Sequence, residues 1–307
     1  MVAAKIEVRY PPSFPGVNRA WWYLREGFER IGCNVIDDPS LLAAGHWSPP
    51  NHLPDPVHIA VLEVNGQRVW YDCSDFVQCH PYLGQPYFAK NMERGEPALP
   101  LGQYLGSEPQ LFFEHLPRLR LMARRKTIDV LAVFSNIDEP LQGDANVYHR
   151  AAETGRNVSG LRRKVVERLK DRPGVVAGLW RWNHLRPEVP PELRGDTLPL
   201  LKHWERIAQS KVVICLPGVG GDSTRLRTEA LAIGSFVLTV ESEQAWPGDW
   251  SRAWHETRRD LVNLETVVDA LVEVDDQRED VARNGRNYFD EYLTPEAMAK
   301  RVVREVT

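Results

Sequence analysis

Apolar positions recur along this chain in two rhythms. A short unbroken or alternating run is followed by a stretch with helical spacing, and the pair repeats. Residues 5–10, KIEVRY, alternate and predict a half-buried strand. The breaker-rich loop 11–15 follows. Ala20, Trp21, Leu24, Phe28 and Ile31 then keep one helical face, and Gly32 ends it. Residues 33–36 read as a second strand, so the chain opens β-loop-α-β. Residues 57–64 and 67–71 are two more strands, joined by Asn65-Gly66, a strong hairpin signal. Residues 93–125 are broken by proline and glycine and show no clear period.

The rhythm resumes with a very apolar strand at 128–134. Ser159 is the expected cap of a helix with Leu161, Val165, Val166 and Leu169 on one face. A strand at 174–179, a proline-rich loop at 183–197 and a helix at 198–208 come next. Residues 212–216 are a β-branched strand and 217–221 a turn. Asp222 or Ser223 is the expected N-cap of a helix at 224–233, with Gly234 as its stop. Residues 235–240 are the next strand, which completes a βαβ unit and implies a parallel sheet. Residues 242–259 read as a long loop with three tryptophans. Helices follow at 261–272 and 281–292, and Thr294-Pro295-Glu296 opens a last one.

These elements predict an α/β protein with two Rossmann-like domains in tandem facing a cleft, and C-terminal helices returning to the first domain. The expected boundaries are one α/β domain at 1–125, a second Rossmann-like domain at 126–285 and a returning helix at 286–307. In open α/β sheets ligands bind outside the carboxyl ends of strands. That rule singles out three places: the loop with Gly16, Asn18 and Arg19, the strand end with Asp72 and Asp75, and the turn at 217–225.

The turn carries the most chemistry. Gly218, Gly220 and Gly221 let backbone approach a ligand closely. The helix that follows begins with unpaired N–H groups and a partial positive charge, which suits a phosphate. Asp222 belongs to the same candidate nucleotide-binding turn, and Ser223 and Thr224 add hydroxyl donors. Arg225 adds a planar fork that suits a diphosphate, and Glu229, one turn on, suits a ribose. The plainer alternative is a surface i,i+4 ion pair between Arg225 and Glu229 beside a merely tight turn.

Composition narrows the partners. A formal net charge of −4 argues against binding nucleic acid by phosphate neutralisation. Most of the basic residues in the runs 118–126 and 162–168 are expected to lie on solvated helix faces. Cys33, Cys73, Cys79 and Cys215 form no CxxC pair, which favours free thiols and a cytoplasmic location. No run has the length of a membrane span, although peripheral contact with a membrane stays open. The histidines are scattered, and no zinc spacing, P-loop or GxSxG elbow occurs.

The run from Ser210 to Gly218, then Asp222-Ser223-Thr224-Arg225, Glu229-Ala230 and Gly234-Ser235-Phe236-Val237-Leu238, resembles the donor-binding domain of GT-B glycosyltransferases. The nearest pattern is the exostosin-like and CAP10-like group, with its Ser-x-Arg-x-x-x-Glu helix; here the residues are Ser223, Arg225 and Glu229. Position 237 is valine where that group usually has proline. The resemblance implies transfer of a sugar from a nucleotide-sugar donor to a carbohydrate or other hydroxyl acceptor, with Arg225 on the diphosphate and Glu229 on the ribose. It implies no resident cofactor and no metal, and the chain has no Asp-x-Asp motif. If transfer inverts the anomeric centre, Asp75 is the expected base and Asp72 the reserve; if it retains the centre, no such base is needed. The alternative is a non-catalytic sugar-nucleotide or glycan-binding protein on the same fold. A nicotinamide-type Rossmann oxidoreductase is disfavoured, because PGVGGDS is not GxGxxG.

Overall fold

The computed structural model describes residues 5–13, 18–41, 59–72, 86–89, 99–102, 105, 108–136, 160–181, 189–217, 224–242 and 244–307. The chain is α/β with two sheets, one in each of two compact units. The first unit comprises Met1–Pro109, Glu243–Asp249 and Asp290–Thr307, and the second Gln110–Ser242 and Trp250–Phe289.

The first unit holds strands β1 (Glu7–Tyr10), β2 (Asn34–Asp37), β3 (Ile59–Val64), β4 (Gln67–Asp72), β5 (Tyr87–Ala89) and β6 (Leu99–Pro100). Their order is β2-β1-β3-β4-β5-β6. Helix α1 (Asn18–Arg30) makes the expected crossover, and β1 and β2 are parallel. Asn65 (φ 49°) and Gly66 (φ 80°) take the left-handed conformations that a two-residue hairpin needs. The antiparallel β3–β4 pair they create makes this sheet mixed. The C-terminal helix α8 (Pro295–Val306) belongs to this unit and packs on α1. Thr294 caps it by accepting from the Ala297 N–H at 3.2 Å, as its sequence predicts.

The second unit is a fully parallel sheet of β7 (Ile128–Asn136), β8 (Val175–Arg181), β9 (Ser210–Ile214), β10 (Phe236–Val240) and β11 (His255–Thr257). The order is β11-β10-β9-β7-β8. Among the described residues its helices are α2 (Pro109–Met122), α3 (Leu161–Leu169), α4 (Leu200–Gln209), α5 (Arg225–Ile233), α6 (Leu264–Glu273) and α7 (Asp275–Tyr288). The connection from β7 through α3 to β8 runs one way across the sheet. Those through α4 and α5 run the other way, so right-handed crossovers put α3 opposite α4 and α5. Val130, Ala132, Phe134, Val212, Ile214 and Leu238 accordingly share one core with α3 and α6. The strand sequence reverses direction between β7 and β9, which makes their carboxyl ends the switch point.

Several elements differ from expectation. The stretch 93–125 contains α2, despite Pro117 in its interior. Phe112, Leu116 and Leu119 form its buried stripe, and Phe112 meets Trp204 edge-on at 5.0 Å. The long tryptophan loop contains β11, and the expected 281–292 helix is α7, which starts earlier, with Asp275 and Asp276 in its first turn. Helix α5 is capped by Thr224 rather than by Asp222 or Ser223, and the N-cap of α3 is Gly160 rather than Ser159. In the left-handed conformation (φ 86°) Gly234 ends α5 as expected.

Candidate functional site

The site is built at the carboxyl ends of β7, β9 and β10. Beyond β9 the chain runs on through Cys215, Leu216 and Pro217, all buried. Gly218, Gly220, Gly221, Asp222 and Ser223 lie outside the described residues, as do Gly16 and Asp75. Asn18 and Arg19 open α1, with only their backbone described.

Helix α5 has nine residues, and the seven from Arg227 to Ile233 are buried. Arg225, at its first position, is exposed. Glu229 is 5% exposed. No ion pair joins Arg225 to Glu229 among the described residues, which overturns the surface-pair alternative: the glutamate faces inward and the arginine outward. The Thr224 side chain accepts from the Arg227 N–H at 3.4 Å.

Two guanidinium groups that sequence reasoning missed lie buried here. Arg227 is 0% exposed. Its Nη2 donates to Thr239 Oγ1 at 2.9 Å, and that hydroxyl donates to the Cys215 carbonyl at 2.6 Å. The Trp254 ring lies 5.1 Å from its Cζ, and Trp250 stacks on Trp254 at 4.9 Å. Burial pushes the Cys215 thiol up to about 12. Arg227 opposes that shift and Glu229 adds to it, and the thiol stays protonated and unreactive.

The second group is Arg162, 8% exposed, in the first turn of α3. It donates from Nη1 to the Ser135 carbonyl at 3.1 Å and to Ser135 Oγ at 2.7 Å. Nη2 donates to the Pro217 carbonyl at 2.7 Å. The expectation of a solvated basic face therefore holds for Arg163 and Lys164, which are exposed, and fails for Arg162. The readable signal was its spacing: Arg162 stands three and four residues before Val165 and Val166, on the apolar stripe. Arg227 stands likewise before Ala230 and Leu231. The other basic run fails similarly at Lys126, whose ammonium donates to the Ala208 carbonyl at 2.9 Å.

In the first unit, Asp72 ends β4, is 2% exposed and accepts from the Tyr87 hydroxyl at 2.9 Å. No group of three or more histidine, cysteine, aspartate or glutamate side chains that could hold a metal occurs among the described residues. Nor is any described helix long and apolar enough to cross a membrane.

The known proteins that this chain resembles are distant in sequence. No family model and no curated protein sequence matches it. Solved structures do. AviGT4, a glycosyltransferase involved in avilamycin A biosynthesis, is 11% identical over 95% of this chain and 89% of its own, with a TM-score of 0.46. Anabaena Alr3699/HepE, solved with UDP and glucose, is 10% identical over 72% of this chain, with a TM-score of 0.38. A glycosyltransferase from Rickettsia africae ESF-5 is 9% identical over 71%, with a TM-score of 0.35. The match spans 62% of the length of each of the last two. At these identities and TM-scores the likenesses carry no activity across to this chain.

Proposed function

We propose that this chain is a glycosyltransferase that moves a sugar from a nucleotide-sugar donor to an acceptor hydroxyl without a metal ion. The observation that carries the reading is the first turn of α5. It stands beside the switch point of a parallel sheet and presents exposed Arg225, while Glu229 faces inward one turn later. A helix N-terminus with an arginine suits a diphosphate. In the proposed step the bond from the sugar anomeric carbon to the phosphate oxygen breaks, and the acceptor oxygen forms the new bond. The nucleoside diphosphate leaves with the electron pair. Charge developing on it is stabilised by the α5 N–H groups and Arg225, which takes the place a metal fills elsewhere. Glu229 is assigned to the ribose hydroxyls.

The second unit is the proposed donor side and the first the acceptor side. For an inverting transfer the acceptor proton goes to Asp75, with Asp72 in reserve. The Tyr87 hydroxyl on Asp72 suits a fixed, positioning carboxylate better than the base itself.

The test is thermal unfolding with a panel of nucleoside diphosphates in EDTA, followed by sugar transfer from the matching nucleotide-sugars. A ligand at a hundred times its Kd adds about 2.7 kcal/mol. The reading expects one diphosphate to stabilise the wild type, Arg225→Ala to lose that effect, and transfer to persist in EDTA. Binding without transfer from any donor, unchanged in Asp75→Ala, points instead to a sugar-nucleotide-binding protein. No binding at all overturns the reading.

A further inference from the structure

The switch point has a gap in its backbone pairing, and one side chain spans it. Strand β7 stays paired with β8 out to Asn136↔Arg181. On its other side, its last pair with β9 is Leu131↔Val213. Four residues beyond that pair stand Ser135, still on β7, and Pro217, three residues past the end of β9. No strand pairing joins them among the described residues. The Arg162 guanidinium does so, with Nη1 on the Ser135 carbonyl and hydroxyl and Nη2 on the Pro217 carbonyl.

The geometry is specific to arginine. A planar fork reaches acceptors on two separate segments at once, whereas an ammonium is a point donor. Packing fixes the fork in turn, for its Cζ lies 6.0 Å from the Phe134 ring centroid and its helix is anchored by Leu161, Val165 and Val166. Arg162 therefore ties the end of β7 to the segment that leaves β9, and the crevice at such carboxyl ends is where α/β sheets take ligands.

We propose that Arg162 is a positioning residue that sets the width of the switch-point crevice and, through it, the affinity of this unit for a diphosphate. The second half of this statement rests on the function proposed above. The bridge itself does not.

The experiment compares the full chain with Arg162→Lys and Arg162→Gln in two measurements. The first is amide hydrogen exchange without ligand. Both variants are expected to exchange about tenfold faster at 133–136 and 214–216, with 128–131 and 210–213 unchanged. Unchanged exchange at the strand ends, or a rise through all the strands alike, overturns the bridge. The second is the Kd for inorganic pyrophosphate, and for any nucleoside diphosphate that stabilises the wild type. Both variants are expected to bind about tenfold more weakly. Wild-type affinity in Arg162→Lys overturns the inference, because charge alone would then suffice. If the wild type itself binds no diphosphate, the proposed function fails together with the affinity claim, while the exchange result still judges the bridge.

Discussion

Arg225 and Arg227 stand two positions apart on α5 and face opposite environments, one solvent and the other the core. Arg227 is tied to Thr239 and lies against Trp254, so its loss leaves a cavity and removes hydrogen bonds from a buried chain that ends at Cys215. Arg227→Ala is expected to lower stability by about 2–4 kcal/mol. Arg225→Ala is expected to change stability by no more than about 0.5 kcal/mol. Its nucleoside diphosphate affinity should fall about tenfold. Urea midpoints and binding isotherms on the same two proteins check both statements. A stable Arg227→Ala beside a destabilised Arg225→Ala would reverse the assignment of structural and ligand-facing roles. A window of sequence shows both residues as helix-forming cations. Only their offset from Ala230 and Leu231 tells them apart, because a charge on an apolar stripe must be buried with partners.

At the scale of elements, β9, α5 and β10 were legible because each signal agreed with its neighbour. A β-branched run, a breaker, helix formers and Gly234 in the left-handed conformation specify one structure. Helix α2 was not legible. Pro117 removes a backbone donor and suggests a break, while the packing of Phe112 on Trp204 of α4 overrides that local preference. The three-residue strand β11 is too short for any period, and its pairing with β10 decides it. Helix α4 also carries a pH-dependent contribution. Burial, reinforced by Arg206, lowers His203 from its ordinary value to about 4. The unfolded chain takes up that proton near pH 6.5 and the folded chain only near pH 4. This contribution is therefore complete above pH 6.5 and is lost progressively as pH falls from 6.5 to about 4. The unfolding midpoint of the wild type, measured against that of His203→Gln from pH 7.5 to 4, should fall as the pH falls. Parallel curves would show that His203 does not titrate in this way.

At the scale of the whole chain, the first unit is closed by residues far from it in sequence. Tyr23 donates from its hydroxyl to the Leu293 carbonyl, and Arg30 pairs with Glu296 at 3.0 Å. Burial, with Glu296 adding to it, raises the Tyr23 hydroxyl well above its ordinary range, so it remains a donor. Gly102, in a left-handed conformation, lies under Leu293 and Pro247, and Gly248 lies against the Tyr292 ring. Three separate stretches of chain thus interlock within one unit. The closest approach is between α1 and α8, where a β-carbon on Gly27 would overlap the Pro295 carbonyl and stand 3.0 Å from Ala299 Cβ. Backbone on one side and a packed methyl on the other leave no flexible atom to yield, so α8 must move. Gly27→Ala is expected to cost the first unit about 1–3 kcal/mol. Hydrogen exchange should show lost protection in α1 and α8, with protection kept in β7, β9 and β10 of the second unit. Equal loss in both units would mean that they unfold as one cooperative body, and then no substitution at this crossing could be assigned to the first unit alone.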